Sequence, residues 1–140
     1  MFFLLVWTAA LRGENRDTTV LTVSIGNIRG NSGLIHVSLF NTAKGFPLEA
    51  DRAIASANAP ASAKGVKIIL PHVPYGVYAI AVVHDENENE KVDTNWLGIP
   101  LEGVGASGDA AILFGPPDFE DSRFTVSGDS MNVTIKLKYF

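Results

Sequence analysis

From Val20 onward the apolar side chains of this chain recur at every second position, a period that a strand satisfies and a helix does not. The stretch "MNVTIKLKY" is the plainest case. Met131, Val133, Ile135, Leu137 and Tyr139 fall on one face, and Asn132, Thr134, Lys136 and Lys138 on the other. "VLTVSIGNI" sets Leu21, Val23 and Ile25 against Thr22 and Ser24, and "LIHVSLFN" repeats the pattern with Ile35, Val37 and Leu39. The turn-forming "RGNSG" between these two predicts a hairpin. "VKIIL" alternates again, while "VYAIAVVHD" is apolar on both faces and predicts a central strand, its alanines leaving room for bulkier side chains of a facing sheet. Further candidates lie at "AAILF" and "SRFTV". About seven strands with almost no helix predict an all-β fold, a single antiparallel β-sandwich of immunoglobulin-like plan.

The 140 residues fit one domain, placed here at 20–140. An apolar fraction of 46% and a charged fraction of 19% describe a chain that folds around a core. Residues 42–64, rich in Ala, Ser and Pro, show no sustained period; a long connection with one helical turn or a stray edge strand is expected there. The basic residues form no stripe, and net charge is −4, which argues against nucleic acid as a partner. With no cysteine, disulfides, zinc–thiolate sites and a thiol nucleophile are excluded. Residues 1–19 open with the apolar run Phe2–Trp7, followed by small residues spaced like a signal-peptidase site at Thr8 and Ala10. They predict export to the periplasm or exterior, against a first strand or a disordered arm. The run falls short of the about 20 residues that span a membrane.

The segment "HDENENEKVDTN" carries the most chemistry. Asp85, Asn87, Asn89, the Lys91 carbonyl, Asp93 and Asn95 bring an oxygen at every second residue, as a chain does when it wraps Ca²⁺. The twelfth position is Trp96 rather than a bidentate glutamate, so a full shell needs Glu102 or the acidic group Asp118, Glu120 and Asp121. The competing account is local: Asx turns in which Asp and Asn bond their own backbone. Crowding of Asp85, Glu86, Glu88, Glu90 and Asp93 against Lys91 favours a counter-ion.

Elsewhere His36, His72 and His84 are scattered and predict structural histidines. "GVGASGD" lacks the lysine of a phosphate loop, and Ser107 lacks the flanking pattern of a nucleophile elbow. Trp96, Phe114 and Phe119 are expected to plug a sandwich end rather than to form a sugar platform. Asn132-Val133-Thr134 is a glycosylation sequon.

The string "LPHVPYGVYAIAVVHDENENEKVDTNWLGIPLEGVGAS", with "GPPDFEDSRFTV" after it, resembles the DUF2141 family of bacterial proteins. The resemblance implies a transthyretin-like or carboxypeptidase regulatory-like β-sandwich, export, and a packing and corner role for Tyr78. That family commonly has Asn-Gly-Asn-Gly where this chain has Asn87-Glu88-Asn89-Glu90. Three functions follow as expectations. The first is a non-enzymatic exported module whose calcium loop meets a protein or glycan of the cell envelope. The second is a small hydrolase or isomerase with carboxylates near Glu102 and Asp118. The third is a subunit that pairs through a sheet edge.

Overall fold

The computed structural model describes residues 17–109 and 115–140; the leader expected upstream and the strand expected at 110–114 lie outside them. Among the described residues there are eight strands: β1 (Thr18–Gly26), β2 (Leu34–Phe40), β3 (Ala55–Pro60), β4 (Val66–Pro74), β5 (Gly76–Asp85), β6 (Gly103–Ala106), β7 (Phe124–Val126) and β8 (Ser130–Lys136). The one α-helix among them is the single turn α1 (Phe119–Ser122). One sheet has the order β4-β1-β8; the other has five strands, ordered β3-β2-β5-β6, with β7 also pairing β5. Inward side chains of both sheets form one cluster, including Leu21 and Val23 of β1, Val37 and Leu39 of β2, Ile68 of β4, Ile80 and Val82 of β5, and Ile135 of β8. Each such buried aliphatic contributes about 1.5–3 kcal/mol relative to exposure.

The expected β1–β2 hairpin does not form. β1 pairs with β4 and β8, whereas β2 lies between β3 and β5 in the other sheet. The "RGNSG" segment is therefore a crossing between sheets, and β2 is buried along most of both faces because it is an inner strand. The expectation of wholly antiparallel pairing also fails: β1 and β8 run parallel, from Val20 opposite Ser130 to Gly26 opposite Lys136. The reason is a count of reversals. β6 and β7 are both antiparallel to β5, so the connection between them does not reverse the chain. β8 then arrives beside β1 in the same sense.

β5 is the central strand that its two apolar faces predict. Its alanines, however, do not face the other sheet. Ala79 and Ala81 lie in a separate small cluster under Phe40, Phe46 and Phe119, whose rings meet edge-on at 5.2 and 6.0 Å. Tyr78 does act as a corner residue: its buried hydroxyl donates to the Pro74 carbonyl at 2.7 Å, and burial pushes its pKa up. In residues 42–64 both expected features are present, a 3₁₀ turn at Ala50–Arg52 and β3 at the sheet edge.

Ser107, weighed in the sequence as a nucleophile and set aside, closes the break between β6 and β7. Its buried Oγ accepts from Ile80 N–H at 2.8 Å and donates to the Ser122 carbonyl at 2.6 Å. Ser107→Ala is expected to leave both backbone groups unpaired and to lower stability by about 1–3 kcal/mol, read from urea unfolding midpoints.

Beside β6 the two sheets are stitched: Val104 and Lys138 exchange backbone hydrogen bonds of 3.0 and 2.8 Å. On the opposite side, β3 and β4 are the outer strands. There β4 holds a bulge, with Pro71 and His72 both exposed, His72 at φ 60°, and the register to β1 shifted between Thr19 and Leu21.

Candidate functional site

The polar loop leaves the C-terminal end of β5. Asp85 is only 1% exposed, and its carboxylate is turned back into the loop that it begins. Oδ1 accepts from Asn89 N–H at 3.1 Å, and Oδ2 from Glu90 N–H at 2.8 Å and His36 Nε2–H at 3.2 Å. Glu102, 4% exposed, does the same from the far end. Its Oε2 accepts from Glu86 N–H at 2.9 Å and its Oε1 from Asp93 N–H at 3.2 Å. Two buried carboxylates thus fold the loop over its own backbone donors, which would otherwise lack partners.

The alternate spacing has a local cause. Asn87 Oδ1 accepts from Asn89 N–H at 3.3 Å, Asn89 Oδ1 from Lys91 N–H at 3.0 Å, and Asn95 Oδ1 from Leu97 N–H at 2.8 Å. Each is an Asx turn reaching two residues on, so chaining them places amides at every second position. Of the seven expected ligands, three side chains converge: Asp93 accepts from Asn87 Nδ2 at 2.7 Å and Asn89 Nδ2 at 2.8 Å. Asp85 and Glu102 are engaged with backbone donors, and Asn95 closes its own turn. The Lys91 residue follows in the exposed part of the loop. Among the described residues no group of three or more His, Cys, Asp or Glu side chains is arranged to hold a metal. Asp118, the other carboxylate of the enzyme expectation, is exposed and caps α1 by accepting from Asp121 N–H at 2.9 Å. Its charge raises the pKa of Asp121.

Glu88 and Glu90 have φ of 55° and 63°. These are the two positions at which the resemblance implies glycine, and both take a left-handed backbone here with glutamate in place. A non-glycine residue in that conformation costs roughly 1 kcal/mol, partly offset by the entropy that glycine brings to the unfolded chain. Glu88→Gly and Glu90→Gly are each expected to stabilise by about 0.5–1 kcal/mol, seen as an additive rise in melting temperature.

Partners distant in sequence hold the loop against the sheets. The Arg29 guanidinium forks onto Glu86 at 2.9 and 2.5 Å, donates to the Leu101 carbonyl at 3.1 Å, and lies 4.6 Å over the Tyr139 ring. The Tyr139 hydroxyl accepts from Arg29 N–H at 3.1 Å and donates to His84 Nδ1 at 2.8 Å; His84 Nε2–H donates to the Ser32 carbonyl at 2.7 Å. The carbonyl acceptor fixes that tautomer. His36 and His84 are thus structural, as expected, and His72 marks the bulge in β4. None of Arg29, Ser32 and Tyr139 carries a signal in the sequence that would join it to the loop.

The hydrogen bond from Arg29 holds the Glu86 carboxyl below its ordinary range, and the same pairing raises Arg29. A carboxyl with a lowered folded pKa contributes stability above its unfolded value, and that contribution is lost as pH falls through the folded value. Glu86→Gln is therefore expected to flatten the loss of melting temperature below about pH 4.5 while changing little in its slope near neutrality.

Trp96 does not plug the end of the fold. It is 90% exposed, at the tip of a tight turn in which Gly98 N–H bonds to the Asn95 carbonyl at 2.9 Å and Gly98 takes φ 81°. Leu97, Ile99 and Leu101 are exposed beside it. Phe119 is buried, as expected, and Phe114 lies outside the described residues.

Fold and loop together define a class: an all-β domain of two sheets, whose central strand ends in a polar loop pinned by buried carboxylates. The chain belongs to the family described as "Uncharacterized protein conserved in bacteria (DUF2141)", whose model matches residues 23–134 and so takes in the loop and both sheets. No curated protein and no solved structure matches the chain.

Proposed function

We propose that this chain is a non-enzymatic, exported binding module on a transthyretin-like β-sandwich, whose loop presents Trp96 and Leu97 to a protein or glycan of the cell envelope. The observation that carries it is the exposure of Trp96 on a turn closed by hydrogen bonds to Asn95. A large aromatic held in water is unfavourable unless a partner covers it, and contiguous apolar surface of this kind marks contact sites. The same loop carries exposed Glu88 and Glu90, whose charges favour a partner with basic groups. The test is co-sedimentation of the full chain and of Trp96→Ala with purified peptidoglycan sacculi and, separately, its retention of detergent-solubilised envelope proteins. Binding that disappears in the variant supports the module. Equal behaviour of the two chains in both arms removes it.

A second reading adds a calcium ion that stiffens the same loop, and it rests on the alternate oxygens of residues 85–95. Binding would have to swing the Asn87 and Asn89 amides, whose NH₂ groups here donate to Asp93, so that their oxygens face the ion. With Asp93 the one carboxylate beside those amides, affinity belongs in the range of about 10⁻⁴–10⁻³ M. Calorimetric titration of Ca²⁺ into the chain and into Asp93→Ala tests this. Heats and melting temperatures that do not differ between them eliminate the ion and leave the Trp96 surface standing.

A further inference from the structure

Strand β3, "ASANAP", carries no charged residue, whereas β4 and β8, the outer strands of the other sheet, have Lys67 and Lys136. The uncharged outer strand β6 is covered by the Val104–Lys138 bridge. Charged side chains on an outer strand discourage pairing with another chain, and β3 lacks that protection. Its ladder direction is fixed by the bond from Ala61 N–H to the Gly33 carbonyl, 3.0 Å, together with the register Leu34 to Pro60. Antiparallel alternation then aims the backbone groups of Ala55, Ala57 and Ala59 at β2, and those of Ser56, Asn58 and Pro60 outward. Among the described residues no strand pairs with that outward edge.

We infer that β3 is a dimerisation edge, and that its occupant is β3 of a second copy of this chain, antiparallel about a two-fold axis at Ala57. This register pairs Ser56 with Asn58 of the second copy, and Asn58 with its Ser56. Four N–H···O bonds result, and they use every outward donor of both strands. The ladder also ends by itself. Pro60, which has no N–H, falls opposite Ile54, whose N–H is already bonded to the Leu39 carbonyl at 2.8 Å. At the axis the facing residues are both alanine, small enough for the close approach of a non-hydrogen-bonded pair.

Two further observations fit the same axis. Exposed Asp51 lies before β3 and exposed Lys64 after it, so antiparallel pairing brings the Asp51 of one copy to the same end of the ladder as the Lys64 of the other. A cleft of about 370 Å³ also opens between β3 and β4, lined by Leu39, Ala55, Ala57, Ile69, Leu70 and Val73 among others. The second copy would cover its mouth, with the exposed Ile54 and Ile69 at its rim. The module would then display two Trp96 tips, so avidity would reinforce any contact that those tips make.

The full chain, which has no cysteine of its own, makes the test direct. Light scattering across concentration should give a dimer. Ala57→Cys should form an intermolecular disulfide, because facing Cα atoms of such a pair lie about 4.5 Å apart. Asn58→Pro, which removes an outward donor, should weaken the dimer by about tenfold or more while circular dichroism stays unchanged. Asp51→Lys should weaken it, and Asp51→Lys with Lys64→Asp should restore it without touching the backbone. A monomer up to about 1 mM overturns the inference. So does a dimer indifferent to these changes in which Ala57→Cys oxidises no faster than the exposed control Thr134→Cys.

Discussion

Asp85→Ala is expected to lower the free energy of unfolding by about 3 kcal/mol or more, because it removes a buried carboxylate that accepts from three donors. The loss has three parts. His36 keeps its ring but loses the carboxylate 3.2 Å away, and the N–H groups of Asn89 and Glu90 lose the acceptors that turn the loop. Hydrogen bonds to a charged acceptor contribute about 1.5–3 kcal/mol each, and loop exposure lets water replace part of that. Asp85→Asn should fall between, since its one oxygen serves one donor while its NH₂ opposes another. Urea unfolding measures the stability change. Limited proteolysis measures the loop, and cleavage within residues 86–95 should rise well before the sheets open.

Gly33→Ala is expected to be nearly as severe, at about 3 kcal/mol or more, with no polar group involved. Gly33 has φ 80°, and a Cβ there would stand 2.1 Å from the Asp85 carbonyl oxygen and 2.7 Å from Glu86 Cα. Both are backbone atoms at the junction of β5 and the loop, so no side chain can swing aside. Either the crossing from β1 to β2 shifts or the loop root does. Thermal unfolding reports the cost, and the Glu86 amide, bonded to Glu102, should show faster hydrogen exchange than in the parent chain. A melting temperature within a degree or two of the parent would show that this approach is not close in solution.

These two residues show where sequence reasoning reaches and where it stops. β1, β4 and β8 were legible because Leu21, Ile68 and Ile135 alternate with polar neighbours, and alternation is a local property. β3 was legible only as one of two options for residues 42–64, because its alanines, Ser56 and Asn58 lack the β-branched and aromatic side chains that favour a strand; pairing with β2 makes it one. Direction and partner of pairing were also hidden. Period two is the same for parallel and antiparallel neighbours, so alternation alone distinguishes neither the parallel β1–β8 pairing from an antiparallel one nor the crossing at "RGNSG" from a hairpin turn. In the loop, the oxygens at alternate positions were plain, and so was the choice between an ion and Asx turns. The residues that hold the loop in place were not: Arg29, Gly33 and Tyr139 lie some 50 positions away or more, and only the folded topology brings them to it.

The parallel ladder between β1 and β8 has a bearing on how this chain acquires its structure. Val20 finds Ser130 and Ile25 finds Ile135 across some 110 intervening residues, a separation that slows the search for native pairings. On the ribosome, β1 would emerge early and wait beside β4 with one flank bare until residues 130–136 appear. The last of the described strands to be made is thus the one that completes β1, and a chaperone able to shield the waiting flank would have most to do during that interval.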